Sequence, residues 1–373
     1  MMQCFRIGII GDGQLALMLA ESLQKMDVPF LSLSHADESP MHTFFPENVT
    51  NDEKRFQQDC SVFTLENEFH TIQELKTLLG EKAQGLFPDL QSYSFFADKI
   101  SQRTFYARED IPSPRWCTLE KEEDLVSLSD FPYPFVLKTS KGGYDGKGVR
   151  IVTNKEELES ALIEFNFYQG NPLLVEEKVA IVKEVAQGFI RSKEGKYTLL
   201  PLVETVQEQG VCNLVKYPAD VSPDLESQVE AILLKIIHSG LTGIFNFEFF
   251  IDSNGKVLIN EGAPRTHNSQ HLTMNASPFS QFDLLAMYLT TPAHAPEKIS
   301  AKKSLMVNIL GKSKGEYGDL KLPDLGSLEV HGKLYGKKLS SPGRKMGHVN
   351  VIDKGSNTDL LTIGRKILKE YEL

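Results

Sequence analysis

The sequence predicts an α/β protein with two or three domains, and three observations carry this prediction. Residues 5–10 are a short apolar run that ends in Gly11-Asp12-Gly13, and leucines at helical spacing follow. Strand, glycine turn and helix in this order open a doubly wound α/β unit. Residues 245–251 alternate apolar and polar side chains, and a turn at 252–255 leads into a second run that ends at Glu261, which predicts a β-hairpin. The 373 residues, 41% hydrophobic and 24% charged, are enough for two or three well-packed domains.

The glycine turn is a weak nucleotide signal. Ala16 stands at the third-glycine position of the dinucleotide pattern GxGxxG, in its looser G/A form. The turn could hold a phosphate of a substrate or no ligand at all. An NAD site is a weaker interpretation, because Asp37 would have to serve as its acid and the hairpin would remain unexplained.

The other elements follow from apolar periodicity and from breaker residues. Ile111-Pro112-Ser113-Pro114 turns the chain into a new unit near Trp116, and residues 291–303 are typical of a linker. We therefore expect domains at 1–95, 96–295 and 301–373. Strands are predicted at 28–33, 61–65, 134–139, 149–152, 305–310, 326–334 and 348–352, and helices at 71–79, 93–107, 227–239, 278–289 and the C-terminal end.

Charge and cysteine content limit the function classes. Forty Lys and Arg against fifty Asp and Glu give a net charge of −10, which argues against a general nucleic-acid binder but not against a basic pocket for a phosphorylated metabolite. Cys4, Cys60, Cys117 and Cys212 are widely spaced and form no CxxC pair, as expected for reduced thiols. With no apolar run of about 18 residues, we expect a cytoplasmic protein that does not enter a membrane.

The hairpin also predicts a metal platform. With a four-residue loop, Ile251 pairs with Lys256. Glu248 then faces Ile259, and Glu261 lies one diagonal step away on the same face, roughly 7–8 Å from Glu248 between Cβ atoms. Magnesium binds a couple of carboxylates and completes its shell with phosphates and water. Two solvated glutamates are the alternative, but the partners that follow favour a metal site: Pro264, Arg265, His267, Asn268 and His271.

A glycine-rich segment follows the predicted strand that carries Lys138. Residues 140–148 read SKGGYDGKG, with four glycines in seven positions and three cations nearby. Glycines let backbone N–H groups approach a ligand, and the cations indicate an anion. A strand follows, so the segment is not a Walker A motif, which opens a helix. We expect a mobile flap over phosphates, with an exposed hairpin tip as the alternative.

Two further segments carry candidate ligand contacts. An apolar strand leads into residues 176–179, EEKV, and Glu184 lies in the next strand. Spacing suggests, without deciding, that Glu176 and the backbone through Val179 meet an adenine edge and that Glu184 meets a ribose. Near the C-terminal end, Lys337, Lys338 and the turn PGRKMGH at 342–348 form either a solvated basic surface or a cap over the substrate.

The order of these features resembles the ATP-grasp superfamily over nearly the whole chain. Within it, the chain most resembles the 5-(carboxyamino)imidazole ribonucleotide synthase family, because three motifs match together: GGYDGKG at 142–148, NEGAPRTHNS at 260–269 and PGRKMGH at 342–348. The resemblance implies an α/β (α+β) ATP-grasp architecture. Its parts would be a Rossmann-like N-terminal domain, an ATP-grasp domain with a flap subdomain at about 115–180, and a small β-rich C-terminal domain that caps the substrate.

The resemblance also implies roles for the matching residues. ATP would contact Lys99, Lys138, Gly143, Tyr144, Asp145, Gly146, Lys147, Gly148, Glu176, Glu177, Lys178, Val179, Glu184, Gln207, Asn260 and Glu261. Magnesium would be held by Glu248 and Glu261 with help from Asn260, for which the strand must bend, because strict alternation puts Asn260 on the opposite face. The aminoimidazole ribonucleotide would contact Tyr144, Asp145, Lys147, His267, Asn268, Ser269, Lys337, Arg344 and Lys345. The residues implied in catalysis are Lys138, Tyr144, Asp145, Lys147, Arg265 and His267.

The implied reaction belongs to purine biosynthesis. ATP converts bicarbonate into carboxyphosphate, and the exocyclic amine of 5-aminoimidazole ribonucleotide attacks it, or carbon dioxide released from it, inside a closed site. The products are the carboxyamino ribonucleotide, ADP and phosphate, and the resemblance implies a homodimer.

Some positions depart from the family pattern. Gln207 stands where the family often has a histidine near ATP, and residues 11–16 and 269–272 differ from its usual turns.

Another ATP-grasp ligase, such as a formate-using glycinamide ribonucleotide transformylase or a biotin carboxylase-like enzyme, is an alternative that the motif at 342–348 disfavours. A nucleotide sensor without turnover is disfavoured by the intact pairs Lys99 and Lys138, and Glu248 and Glu261.

Overall fold

A computed structural model describes residues 5–143, 148–208, 210–355 and 358–370. The N-terminal part is a five-stranded parallel sheet with the strand order β3-β2-β1-β4-β5. Strand β1 is buried throughout, as is usual for a parallel sheet between helices. The strands are β1 (Ile7–Ile10), β2 (Phe30–Leu33), β3 (Val49–Thr50), β4 (Val62–Leu65) and β5 (Leu86–Phe87), and the helices are α1 (Gln14–Lys25), α2 (Pro40–Phe44), α3 (Glu53–Asp59), α4 (Ile72–Leu79) and α5 (Leu90–Ser94).

A four-stranded antiparallel sheet follows, with the order β6-β9-β7-β8. Helix α7 covers one face of it through Leu158, Ala161 and Leu162, which join the small core of this part. The elements are α6 (Lys99–Arg108), β6 (Trp116–Leu119), β7 (Phe135–Thr139), β8 (Val149–Val152), α7 (Lys155–Glu164) and β9 (Leu173–Glu177).

The rest of the chain builds a nine-stranded sheet. Its order is β15-β14-β10-β12-β13-β16-β18-β17, and β11 pairs with β10, so the C-terminal strands continue the central sheet. The strands are β10 (Ile181–Arg191), β11 (Tyr197–Leu199), β12 (Val203–Glu208), β13 (Val211–Tyr217), β14 (Gly243–Asp252), β15 (Val257–Ala263), β16 (Ser304–Leu310), β17 (Glu329–Leu334) and β18 (Lys345–Ile352). The helices are α8 (Pro223–His238), α9 (Thr273–Ala276), α10 (Gln281–Thr290) and α11 (Leu360–Glu370).

Most predicted elements are present, with boundaries set by caps. Helix α4 begins after Thr71, which forms a capping box with Glu74. The single helix predicted at 93–107 is wrong: the chain forms α5 and α6 there. The Asp98 side chain accepts a hydrogen bond from Ser101 N–H and starts a new helix. Of the helices in the described ranges, none is long and apolar enough to span a membrane.

The hairpin has a different register from the predicted one. Ile251 pairs with Val257 rather than with Lys256, and a β-bulge lies between Glu248 and Phe249 on one strand and Ile259 and Glu261 on the other. Asn260 is the extra residue of the bulge. The bulge places Glu248 directly opposite Glu261, so the predicted diagonal relation is wrong while the shared face is confirmed.

Candidate active site

A cleft lies between the hairpin and the four-stranded sheet. Its walls come from α6, β7, β9 and β15, and the lining residues are Lys99, Gln102, Arg103, Lys138, Leu174, Asn260 and Glu261. Each predicted phosphate-binding lysine meets a hairpin side chain. Lys138 Nζ donates to Asn260 Oδ1 over 3.2 Å, and Lys99 Nζ lies 3.7 Å from Glu261 Oε2. The bulge therefore lets Asn260 and Glu261, although adjacent in sequence, both reach the lysines.

The hairpin carboxylates fit a magnesium ion. Glu248 and Glu261 stand opposite each other on one face, and Asn260, the bulge residue next to Glu261, contacts Lys138. Across the described ranges, no group of three or more His, Cys, Asp or Glu side chains is arranged as a metal site. A site with only two protein carboxylates suits Mg²⁺ better than it suits a metal that protein ligands enclose completely. Mg²⁺ usually keeps several water molecules and also binds substrate phosphates.

A buried ion cluster fixes Lys138 in the cleft. Lys138 Nζ lies 2.7 Å from Glu176 Oε2, and Arg103 pairs with the other oxygen of the same carboxylate. Glu176 is 2% exposed. Burial opposes its charge, but Arg103 and Lys138 outweigh burial and hold the pKa of this carboxyl below its ordinary value. The carboxylate is already paired on both oxygens, so in this structure the side chain of Glu176 is engaged by Arg103 and Lys138.

The predicted nucleotide edge is partly exposed. Glu177 accepts a hydrogen bond from Arg115 N–H over 3.0 Å, and Lys178 and Val179 continue the segment towards β10. Glu184, on β10, accepts a hydrogen bond from the Gln207 side chain. Burial raises the pKa of Glu184 to about 7, although the hydrogen bond from Gln207 lowers it. The negative charge of Glu261 also raises this pKa. Gln207 thus contacts the residue predicted to meet the ribose.

The glycine flap is described only at its two ends. Thr139 N–H donates to Gly148 O over 2.9 Å, and Lys99 Nζ donates to Gly143 O over 3.5 Å. The other predicted flap residues, Tyr144, Asp145, Gly146 and Lys147, lie outside the described residues. Lys99 therefore contacts both the hairpin and the base of the flap.

The loop after the hairpin is anchored rather than free. Arg265 makes a bidentate ion pair with Glu68, which follows β4 in the N-terminal part. Burial opposes the charge of Glu68, but Arg265 outweighs it and keeps the pKa of that carboxyl low. Arg265 was predicted as a catalytic residue, but in this structure its guanidinium is engaged by Glu68 and by Thr266 O.

His267 is a neutral imidazole facing the hairpin. Ser269 N–H donates to its Nδ1 over 3.3 Å, so the proton of the neutral ring is assigned to Nε2, which lies 3.7 Å from Glu248 Oε1. Burial and the charges of Arg265 and Lys345 lower the pKa of His267 to about 3. His267 therefore stays uncharged at neutral pH and can take part in hydrogen bonds without adding charge.

The C-terminal cations are also engaged by backbone groups. Lys337 Nζ donates to Lys345 O, and Arg344 Nη1 donates to Leu339 O, each over 2.7 Å. Lys345 is close enough to lower the pKa of His267, which brings the C-terminal turn and the hairpin loop to one region. Arg344 is exposed.

The N-terminal glycine turn is filled by a carboxylate of the protein itself. Glu66 accepts hydrogen bonds from Gly13 N–H over 2.6 Å and from Leu15 N–H over 3.1 Å. A Cβ atom on Gly13 would lie 2.3 Å from Glu66 Oε1. These amide groups at the start of α1 are therefore not available to a phosphate, and no dinucleotide interpretation of the turn is supported.

Sequence reasoning missed three residues of the site: Arg103, which lines the cleft, and Glu68 and Asn308, which hold the loop after the hairpin. Arg103 lies four residues after Lys99, so helical spacing would have put both on one face of a helix. Glu68 was visible at the end of a predicted strand but had no assigned partner. Asn308, which bonds Asn268, gave no signal, because its partner is 40 residues away in the sequence.

Two family models match the chain. An ATP-grasp domain model matches residues 104–282, and a phosphoribosylaminoimidazole carboxylase C-terminal domain model matches residues 304–359. The described fold is accordingly an ATP-grasp α/β fold.

Named relatives match along nearly the whole chain. An N5-carboxyaminoimidazole ribonucleotide synthase of Synechococcus elongatus is 30% identical over 380 residues, which cover 98% of this chain and 94% of the relative. The enzyme of the same name from Staphylococcus aureus is 31% identical over 366 residues, which cover 94% of this chain and 93% of the relative.

Solved structures of proteins with closely similar names also match this chain. The Staphylococcus aureus N5-carboxyaminoimidazole synthetase complexed with ADP has a TM-score of 0.84 at 28% identity, covering 98% of this chain and 97% of that one. The Aspergillus clavatus synthase in complex with ADP and 5-aminoimidazole ribonucleotide has a TM-score of 0.81 at 25% identity. The match covers 100% of this chain and 99% of that one. Fold, cleft and relatives together lead to one conclusion: the chain belongs to the N5-carboxyaminoimidazole ribonucleotide synthase family.

Proposed function

We propose that this protein is an ATP-dependent carbon–nitrogen ligase that carboxylates the exocyclic amine of 5-aminoimidazole ribonucleotide. The substrates are ATP, bicarbonate and the ribonucleotide, and the products are the N5-carboxyamino ribonucleotide, ADP and phosphate. The observation that carries the proposal is the meeting of Lys99 and Lys138 with the acidic hairpin in one cleft, in a chain whose relatives bear this activity.

Bicarbonate is a poor electrophile, so the first step activates it. A bicarbonate oxygen attacks the γ-phosphorus of ATP, ADP leaves, and carboxyphosphate forms. Lys138 and Lys99 neutralise the charge on the transferring phosphoryl group. Glu176 and Arg103 hold Lys138 in place, since the buried ion cluster restricts its ammonium group. Magnesium, held by Glu248, Glu261 and Asn260, would supply further charge neutralisation when bound.

The second step forms the carbon–nitrogen bond. The amine nitrogen attacks the carboxyl carbon of carboxyphosphate, phosphate leaves, and the nitrogen releases a proton; carbon dioxide released within the site can serve as the electrophile instead. His267, Asn268 and Ser269 orient the ribonucleotide, and Lys337, Arg344 and Lys345 meet its phosphate. The flap that contains Tyr144, Asp145 and Lys147 excludes water, which protects carboxyphosphate from hydrolysis.

ATP binding is assigned to both walls of the cleft. Glu177, Lys178 and Val179, with the backbone of Glu176, frame the adenine, while Glu184 and Gln207 meet the ribose. Gly143, Gly146 and Gly148 let the flap close on the phosphates. The division into domains at 1–95, 96–295 and 301–373 rests on the breaker residues and the linker composition of the sequence. A homodimer rests on the family resemblance, and a cytoplasmic location rests on the scattered free thiols.

The test is ADP release from ATP, Mg²⁺ and bicarbonate, with and without 5-aminoimidazole ribonucleotide, and with glycinamide ribonucleotide plus formate as the control pair. We expect strong stimulation by the aminoimidazole compound alone. Stimulation by the glycinamide pair instead would keep the phosphate and metal assignments but replace the substrate. Stimulation by neither would reject a ligase that acts on these ribonucleotides.

A further inference from the structure

The loop at residues 264–271, here called the substrate loop, is held by buried carboxamides. Gln281 is fully buried, accepts a hydrogen bond from His267 N–H over 2.9 Å and donates to His267 O over 2.8 Å. Gln270 Nε2 donates to Pro201 O over 3.0 Å. These contacts fix the backbone of the loop, and a further contact fixes one of its side chains.

Asn268 forms a reciprocal amide pair with Asn308 of β16. Asn268 Nδ2 donates to Asn308 Oδ1 over 2.9 Å, and Asn308 Nδ2 donates to Asn268 Oδ1 over 2.7 Å. Asn308 is 0% exposed, whereas Asn268 is only partly buried. A carboxamide has two donor hydrogens and two acceptor lone pairs, and the pair uses one of each on Asn268. One donor and one acceptor of Asn268 therefore remain for a ligand.

The backbone of β13 decides which way both amides point. Asn308 Nδ2 also donates to Cys212 O over 2.8 Å. A carbonyl can only accept, so the nitrogen of Asn308 must face Cys212, and the oxygen of Asn308 must accept from Asn268. A carboxamide that rotates by half a turn exchanges its donor and acceptor positions. Cys212 O thus sets the orientation of Asn308, and Asn308 sets that of Asn268.

The same strand reaches the nucleotide side of the site. Cys212 pairs with Gln207 of β12, and the Gln207 side chain bonds Glu184. A continuous series of contacts therefore leads from the residue assigned to the ribose to the residue assigned to the aminoimidazole substrate.

We propose that Asn308 is a positioning residue for the second substrate: it fixes the carboxamide of Asn268 in the one orientation that presents the correct donor and acceptor to the ribonucleotide. This inference rests on the proposed function. It assigns to β16, in the C-terminal part, a role beyond the cations at 337–345. Asn308 itself is buried and acts only through Asn268.

The test variant is Asn308→Asp, which keeps the size of the side chain. A carboxylate cannot donate to Cys212 O or to Asn268 Oδ1. The new oxygen therefore repels both of these oxygens, and the carboxamide of Asn268 loses the contact that fixes its orientation. We expect the KM for the ribonucleotide to rise about tenfold or more, because a misoriented contact weakens a positioned substrate. The KM for ATP is expected to rise much less than the KM for the ribonucleotide, because Cys212 reaches the nucleotide side only through the backbone pairing of β13 with β12.

Asn350→Asp is the matched control. Asn350 is 0% exposed on the neighbouring strand β18 and donates to Asn275 Oδ1 over 2.8 Å and to His271 O over 3.2 Å. It undergoes the same chemical change in the same sheet, and it contacts the substrate loop only at the backbone of its last residue, His271, not at Asn268. We expect a similar loss of thermal stability with an unchanged KM for the ribonucleotide. An equal rise in KM for both variants would mean a general structural effect and would overturn the inference.

Asn308→Ala keeps the inference testable if Asn308→Asp does not fold. Without a partner, Asn268 samples both orientations, so the KM for the ribonucleotide should rise, by less than in Asn308→Asp. An unchanged KM in Asn308→Ala would overturn the inference. The wild-type assay is read first: absence of stimulation by the ribonucleotide overturns the proposed function together with this inference, whereas stimulation with unaffected Asn308 variants overturns this inference alone.

Discussion

At the scale of single residues, Glu261 has the most demanding assignment. Its carboxylate lies 3.7 Å from Lys99 Nζ and stands opposite Glu248, where a magnesium ion would need an anionic ligand. Its side chain is 44% exposed, so the core does not depend on it. Glu261→Gln should therefore lower ADP release about 100-fold or more with little change in melting temperature.

Glu329→Gln is a suitable control for this change. Glu329 lies on β17 and pairs with His331 and Lys354, not with a lysine of the cleft. We expect activity close to that of the unmodified protein. Near-normal turnover in Glu261→Gln as well would reject the metal assignment.

Glu184 should make the free energy of unfolding depend on pH. Burial raises its pKa from an ordinary 4.5 to about 7. Between these pH values the native chain keeps a proton that the unfolded chain has released, so the free energy of unfolding should fall as pH rises through this window. Glu184→Gln cannot ionise and should lose this part of the dependence. Urea unfolding without nucleotide, at about pH 5 and about pH 8, checks the difference; parallel pH dependence in both proteins would contradict it.

At the scale of elements, the bulge in the hairpin is the decisive feature. It gives two consecutive residues, Asn260 and Glu261, access to the same cleft, which a regular strand would not allow. Asn260 uses this position to accept a hydrogen bond from Lys138.

Asn260→Ala tests the bulge as part of the site. Loss of the acceptor leaves Lys138 held by Glu176 alone, and we expect ADP release to fall about tenfold or more. Asn260→Asp retains an oxygen at the same place and should keep more activity than the alanine variant. The contrary ranking, or full activity in Asn260→Ala, would show that the contact with Lys138 does not matter for turnover.

The sequence predicted this hairpin only in part. Alternation along 245–251 was enough to predict the strand and the shared face of Glu248 and Glu261. The bulge was not predictable from the apolar pattern, because one extra residue changes the pairing without changing that pattern. Only the metal role implied for Asn260 required a bend at this point of the strand. The break between α5 and α6 was missed for a different reason: the Asp98 cap competed with a continuous helical periodicity.

Long-range pairs were the least predictable part of the site. Lys138 was assigned to phosphate from its strand and the glycine segment that follows. Its pairing with Glu176, and the pairing of Glu176 with Arg103 across 73 residues, depend on how α6 and β9 meet in space. No local pattern contains that information, and the same is true of Asn308.

At the scale of the whole molecule, ion pairs tie the N-terminal part to both other parts. Glu68 binds Arg265 in the substrate loop, and Glu21 of α1 binds Lys333 of β17, with Nζ 2.6 Å from Oε1. Helix α1 also packs against α10 in one hydrophobic core. The N-terminal sheet thus supports the substrate loop from behind, although its own glycine turn is filled by Glu66. The domain boundaries at 1–95, 96–295 and 301–373 stay a prediction.

Glu68→Ala tests this support. The variant leaves the poorly exposed guanidinium of Arg265 without its partner, and loss of a buried ion-pair partner costs about 3 kcal/mol. We expect a clear fall in melting temperature together with a higher KM for the ribonucleotide. Glu21→Ala, which breaks the more exposed pair with Lys333, should change both much less. Equal effects of the two variants would argue that the Arg265 contact has no special role in the site.

The central claim is that ATP activates bicarbonate for transfer to the amine of the ribonucleotide. The most direct measurement is the reaction of ¹⁸O-labelled bicarbonate with ATP and 5-aminoimidazole ribonucleotide, followed by mass spectrometry of the phosphate and the ribonucleotide. The account predicts one labelled oxygen in the released phosphate and the labelled carboxyl group on the amine nitrogen, because a bicarbonate oxygen attacks the γ-phosphorus. Released phosphate without label, or label in phosphate with no carboxylated ribonucleotide, would contradict it.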